Sequence, residues 1–231
     1  MSSSTPLSVQ FLAEAEDPLV LAPEQVTALL AGAPWQRFAV LGDSIAAGTG
    51  DPSPGYAPTG WSDRVAAGLA SANPTLAYRN TGRIGATSGQ VIDLQLSEII
   101  EFAPDLVHLS CGGNDLFTAG GDVDRLRENL STILTALADT GARLSIFTMA
   151  DVWSVERMAP MRAMRPQMIV LNEMLRAAAT EFDVVLTEFW NHPLQSRPEL
   201  MSADLIHFTT SGQAVVASEV VRSLAGLIDR A

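Results

Sequence analysis

From residue 37 onward, short apolar runs alternate with amphipathic stretches, and nothing else in the chain constrains its fold so tightly. The runs Phe38–Leu41, Leu76–Arg79, Leu106–Ser110, Leu144–Thr148 and Val184–Leu186 are too short for buried helices and read as buried strands. Between and after them, apolar residues recur with helical period near 61–71, 88–101, 122–139, 166–181 and 210–229. Strands that alternate with helices predict a parallel five-stranded sheet with helices on both faces. Such a sheet carries its ligands outside the carboxyl ends of the strands. The residues that directly follow each strand are therefore the first place to look for chemistry.

The preceding segment has a different character. Pro23, with Glu24 and Gln25 after it, opens a short helix that Gly32 closes. Residues 1–34 read as an N-terminal arm packed on one domain of residues 35–231, a size that suits a single core. The start lacks a basic stretch followed by an apolar run, so no signal peptide is expected and the reading is cytoplasmic. No stretch has the apolar length of a membrane span.

Charge and residue usage narrow the chemistry further. A net charge of −12 disfavours nucleic acid and anionic membrane surfaces as partners. Lysine is absent, so a Schiff-base lysine, a Ser–Lys dyad and the lysine of a phosphate-binding loop are all excluded. Cys111 is the only cysteine, which rules out an internal disulfide and a cysteine-cluster zinc site. Three scattered histidines make no zinc site, and no cofactor is implied.

Four motifs remain. Gly42-Asp43-Ser44-Ile45 follows the first strand and places a serine at the sheet edge, where a helix N-terminus can favour developing negative charge. Asn80-Thr81-Gly82-Arg83-Ile84-Gly85 follows the second, where a glycine lets the backbone present an N–H closely. Gly112-Gly113-Asn114-Asp115 follows the third and offers the N–H donors of an Asn side chain. Asp204-Leu205-Ile206-His207 precedes the last helix, and its spacing of three lets the carboxylate hold one ring nitrogen while the other faces a nucleophile. Each alone is as well explained by a cap or a turn. His108, inside a strand, reads as a satisfied core histidine, and His192 as a loop residue. Jointly the four provide a nucleophile, a base, an orienter and oxyanion donors at one edge, the set that acyl transfer requires.

On these motifs the chain resembles the SGNH (GDSL-like) esterase/lipase hydrolases over about residues 37–229. The resemblance implies a three-layer flavodoxin-like fold without a Gly-x-Ser-x-Gly elbow. It implies Ser44 as nucleophile, His207 as base and Asp204 as orienter. The oxyanion hole would comprise the backbone of Ser44 and Gly85 and the side chain of Asn114, with Gly82 an alternative to Gly85. The function expected is hydrolysis of a small-molecule acyl ester through an acyl-enzyme. An acyltransferase using the same intermediate and an inactive binding protein are the competing readings. No oligomeric state follows from the sequence.

One segment stands outside the motifs. Residues 150–168 follow the fourth strand and carry Trp153, Met158, Met161 and Met164, with Arg157, Arg162 and Arg165 between. Methionine adapts to apolar ligands. A spacing of three could turn the methionines to one side of a short helix. They are candidate substrate-binding residues on a lid, with the arginines facing water, unless that side packs on the core.

Overall fold

The computed structural model describes residues 13–117 and 121–228. Its strands are β1 (Arg37–Gly42), β2 (Ala77–Asn80), β3 (Leu106–Ser110), β4 (Arg143–Phe147) and β5 (Val185–Thr187). They form one five-stranded parallel sheet in the order β2-β1-β3-β4-β5. Every expected strand is present, with no end moved by more than one residue.

The helices fill the intervals as the periodicity requires. They are α1 (Pro23–Leu29), α2 (Trp61–Ala72), α3 (Ser88–Val91), α4 (Ser97–Glu101), α5 (Gly113–Phe117), α6 (Val123–Ala138), α7 (Arg165–Glu181) and α8 (Thr210–Ile228). A π-helical stretch, Ile92–Leu96, joins α3 to α4, so the expected helix over 88–101 is continuous but locally widened. Crossovers between parallel strands are right-handed. The step from β1 out to β2 therefore puts α2 on one face, and the returning steps put α3, α4, α6 and α7 on the other. The last helix α8 packs with α2 and α1. The three-layer architecture expected from the sequence is the one observed.

Burial explains the elements. β3 is buried along its whole length, whereas the edge strand β2 exposes Arg79 and only half-buries its neighbours. Phe38, Leu41, Leu106 and Ile146 lose nearly all contact with solvent between the helix layers, each side chain contributing about 1.5–3 kcal/mol of transfer free energy. On the α1 side, Leu30 is fully buried, and a Cβ at Gly68 would lie 2.6 Å from Val26. The glycine is what lets α1 approach α2. Ahead of α1, Arg64 donates to both oxygens of Glu14, and Arg197 donates to both oxygens of the buried Asp17. Residues 1–12 of the expected arm lie outside the described residues. Among the described residues, no helix is long and apolar enough to cross a membrane.

Candidate active site

The order 2-1-3-4-5 reverses direction between β1 and β3, and ligands bind at such a switch point. Ser44 follows β1 and Asn114 follows β3, so both flank it.

The turn after β1 is built around Gly42. Its φ of +139°, and the 1.9 Å that would separate a Cβ from the Ser110 carbonyl oxygen, exclude any other residue. Gln95, fully buried in the π-helical stretch, brackets this glycine: its Oε1 accepts the Gly42 N–H at 2.9 Å and its Nε2 donates to the Gly42 carbonyl at 2.8 Å. π-Helical turns concentrate at functional sites, and this one carries the amide that meets the turn before Ser44. The Asp43 carboxylate accepts the Ile45 N–H at 2.9 Å, and the Trp61 indole donates to the Ile45 carbonyl at 2.8 Å. Residues 44–48 form a hydrogen-bonded turn rather than the helix N-terminus expected from the sequence. A helix dipole therefore gives no account of charge stabilisation at Ser44.

The turn after β2 is tied to the first. Asn80 donates to the Ala46 carbonyl at 2.7 Å and accepts the Gly82 N–H at 2.8 Å. A Cβ on Gly82 would lie 2.6 Å from the Ala47 nitrogen, so Gly82 serves close packing and its N–H is already engaged. Gly85 is its opposite. It is exposed, takes a φ of +77°, and a Cβ there would meet nothing within 4 Å. Neither the Gly85 N–H nor the Ser44 N–H has an acceptor among the described residues.

The turn after β3 enters α5 at once. Asn114 donates through Nδ2 to the Ala86 carbonyl at 2.9 Å, which leaves the second proton of that amide. Asp115 caps a helix, but not its own. Its carboxylate accepts the Ser88 N–H at 2.9 Å and the Ser88 hydroxyl at 2.5 Å, fixing the start of α3 against α5. Asn129 of α6 donates to the same hydroxyl at 2.9 Å.

The fourth motif arrives on a loop between Met201 and Phe208, which pair as an isolated antiparallel bridge. Asp204 and His207 share a tight turn, not a helical one. Asp204 Oδ1 accepts the N–H groups of Ile206 (2.9 Å) and His207 (3.1 Å), with Leu205 at a left-handed φ of +61°. Asp204 Oδ2 then lies 2.6 Å from His207 Nδ1, and His207 Nε2 lies 2.7 Å from Ser44 Oγ.

The electrostatics separate the two carboxylates near the serine. Partial burial would raise the Asp204 pKa, but hydrogen bonds from His207 and two backbone N–H groups outweigh it and hold the value below the usual range. Asp43 is almost wholly buried, and desolvation pushes its pKa up to about 7 despite the N–H groups of Ile45 and Ala46. Burial also raises the Cys111 thiol, with Asp43 and Asp115 adding to the effect, so this thiol stays protonated and a poor nucleophile.

A cavity of about 80 Å³ opens from Ser44 and Asn114 into the molecule. Its lining also includes Trp153, Met158, Met161, Met164 and Leu171. The methionines sit on a 3₁₀ helix, Glu156–Met164. With three residues per turn, positions 158, 161 and 164 eclipse one another and form one stripe. Met158 is buried, and Met161 and Met164 are half-buried. The arginines do more than face water. Arg157 donates to the Ser202 carbonyl, Arg162 to the Trp153 carbonyl, and Arg165 pairs with Asp151.

The remaining histidines lie elsewhere. His108 is fully buried against Trp61 and Phe147, with Nδ1 3.0 Å from Ser145 Oγ and burial lowering its pKa to about 3. Its Nε2 has no partner among the described residues, so the expected satisfied core histidine is satisfied on one side only. His192 accepts the Leu194 N–H and contacts Glu219 at 3.2 Å, a loop role as expected. Sequence reasoning missed Gln95 and the reach of Asp115. Asp93, Ser97 and Glu98 lie close to Gln95 in the chain, so nothing in the local sequence singles the glutamine out.

Comparison with known proteins adds the lineage. A family model for the GDSL-like lipase/acylhydrolase family matches residues 40–215. Comparison with curated proteins gives no match. Among solved structures the chain is similar to LAE5, an alpha/beta hydrolase enzyme from the metagenome of Lake Arreo, Spain, at 21% identity over 85% of this chain and 97% of that one, with TM-score 0.67. It is also similar to TesA, at 23% identity over 83% and 99% of the two chains and TM-score 0.66. A third is Axe2, an acetylxylan esterase from Geobacillus stearothermophilus, at 19% identity over 84% and 95% and TM-score 0.68. At these identities the structural likeness shows a shared fold.

Proposed function

The chain belongs to the GDSL-like lipase/acylhydrolase family and is a carboxylic ester hydrolase, and we propose that Ser44 is its nucleophile, acting through an acyl-enzyme on short acyl esters. The observation that carries this reading is the continuous relay from Asp204 through His207 to Ser44, with contacts of 2.6 and 2.7 Å.

In the first half-reaction His207 Nε2 takes the Ser44 proton as Oγ attacks the ester carbonyl. The negative charge formed on the carbonyl oxygen is received by the Ser44 N–H, the Gly85 N–H and the second Nδ2 proton of Asn114. Asp204 keeps Nδ1 protonated and stabilises the imidazolium. His207 then returns the proton to the departing alkoxide, and the alcohol leaves. In the second half-reaction water gives a proton to His207 and attacks the acyl-enzyme, releasing the acid and restoring Ser44.

The size of the cavity supports a short acyl group. Its volume of about 80 Å³ is about half that of the engineered apolar cavity, roughly 150 Å³, that admits benzene. An acetyl to butyryl chain matches that space, and Met158, Met161 and Met164 would pack against its end.

The test is a fluorophosphonate probe together with nitrophenyl esters of graded chain length. Ser44→Ala is expected to abolish labelling and to lower turnover by about 10⁶, as loss of a nucleophile does in a comparable triad. Persistent labelling of the folded variant overturns the assignment. Competing alcohols added to the assay separate hydrolysis from acyl transfer.

A further inference from the structure

The sheet does not hold the two sides of Ser44's turn equally. Pairing between β1 and β3 runs on to Gly42 and Ser110, and the next N–H, that of Asp43, still donates to the Ser110 carbonyl at 2.9 Å. Between β1 and β2 the paired residues end earlier, at Val40 and Asn80. The Thr81 N–H reaches the Val40 carbonyl at 2.9 Å, and past it the Arg83 N–H reaches the Gly42 carbonyl at 3.1 Å. Where this ladder gives out, Gln95 takes over. Its Oε1 accepts the Gly42 N–H at 2.9 Å and the Thr81 hydroxyl at 3.2 Å, while its Nε2 donates to the Gly42 carbonyl at 2.8 Å. That carbonyl is the one that also accepts from Arg83. A single side chain, fully buried, is thus bonded to both turns.

The positions it holds stand just before the proposed oxyanion donors. Gly42 precedes Ser44 by two residues, and Arg83 precedes Gly85 by two. We propose that Gln95 is a positioning residue that sets the separation of the Ser44 and Gly85 N–H groups. This inference rests on the oxyanion hole proposed above. Charge on the carbonyl oxygen develops only in the transition state, so donors out of place slow turnover without weakening substrate binding.

Gln95→Met tests it, because a thioether of similar size fills the space but supplies neither the amide donor nor a good acceptor. Turnover of nitrophenyl butyrate is measured together with inhibition by trifluoromethyl propyl ketone. In that adduct Ser44 Oγ bonds the carbonyl carbon, the Ser44 proton passes to His207, and the former carbonyl oxygen carries the negative charge. A fall in kcat of roughly 10² with KM little changed is expected, the cost of misplacing reacting groups by about 1 Å. The Ki of the ketone should rise in step with the loss of kcat/KM, as for a transition-state analogue. The pH midpoint of kcat/KM should stay where it is, because Gln95 does not touch the relay. A folded variant with wild-type kcat and Ki overturns the proposal. So does a raised KM at constant kcat, or a moved pH midpoint, which would put the damage in the substrate pocket or at His207. Should Gln95→Met not fold, Thr81→Val decides, since it keeps both Gly42 bonds and removes only the hydroxyl held by Oε1. The same pattern at about 2- to 12-fold, the worth of one net hydrogen bond, supports the role, and wild-type values overturn it. Ser44 labelling with unchanged kcat and Ki removes only the role of Gln95. Labelling that survives Ser44→Ala removes the underlying function.

Discussion

Two walls meet at Ser44, and they are held in different ways. The sheet-edge wall is wired by backbone and buried amides. Gln95 grips both polar groups of Gly42, Asn80 joins the second turn to the first, and Asp115 clamps α3 to α5. The opposite wall, the 3₁₀ helix Glu156–Met164, is held from outside by arginines reaching carbonyls and the carboxylates of Glu156 and Asp151. Its inner side presents thioethers rather than fixed donors. Buried hydrogen bonds left unmade cost more than surface ion pairs. The first wall therefore suits chemistry, which needs donors fixed to within fractions of an ångström. The second suits substrates of varying shape.

The largest effect expected from breaking the wired wall lies in Asp43. Its folded pKa, raised to about 7 by desolvation, compares with roughly 3.9 in an unfolded chain. Protonated Asp43 thus favours the fold; that contribution is complete below about pH 4 and is lost as pH rises through 7. Asp43→Asn keeps an oxygen to accept the Ile45 N–H but removes the titration. Unfolding free energy of the wild type should fall, relative to the variant, by on the order of 4 kcal/mol between pH 4 and 8. Parallel denaturant curves across that range would show that Asp43 is ionised throughout and that the turn is more solvated than its burial implies.

Asn114→Ala probes the same wall through its catalytic face. Because one Nδ2 proton is spent on Ala86, the variant loses a positional bond as well as the proposed oxyanion donor. A fall in kcat of roughly 10²–10³ with KM little changed is expected. Steady-state kinetics giving a raised KM at constant kcat would recast Asn114 as a substrate-binding residue.

The contrast also explains which features were legible in the sequence. Strand ends could be read because a short strand-forming run gives way at Gly42, Asn80 or Gly112, and the parallel order then gathers those ends at one edge. Asp204 and His207 were legible as a pair because their bond spans three residues. What was not legible depends on groups distant in sequence. Gln95 meets Gly42 across 53 residues, and Asp115 caps a helix 27 residues upstream. Periodicity over 88–101 announces a helix but carries no mark of the π-helical stretch. The spacing of Met158, Met161 and Met164 suits an α-helix only approximately. The 3₁₀ form aligns them; Pro160 within it lacks the N–H that an α-helical bond would use, and Arg157 and Arg162 tie the segment to the Ser202 and Trp153 carbonyls.

The smallest expected effect, and the one that best sharpens the contrast, concerns the methionine stripe. Met158, Met161 and Met164 close the cavity at about 80 Å³, so replacing all three with Ala or Ser should lengthen it without touching the relay. Each methylene buried in the new space contributes about 0.8 kcal/mol, near fourfold in kcat/KM. Preference between butyryl and octanoyl nitrophenyl esters should therefore move toward the longer chain by about tenfold or more. Packing rearrangement would keep the shift below the full sum of the added methylenes. Fluorophosphonate labelling of Ser44 should persist, since the sheet-edge turns do not depend on the stripe. Loss of stability alone does not separate the two roles, because Met158 is buried and its truncation costs about 2–5 kcal/mol wherever it packs. The acyl profile does separate them. An unaltered profile in a variant that unfolds at lower denaturant would make the stripe part of the core and leave chain length to be set by other lining residues such as Leu171 and Leu175.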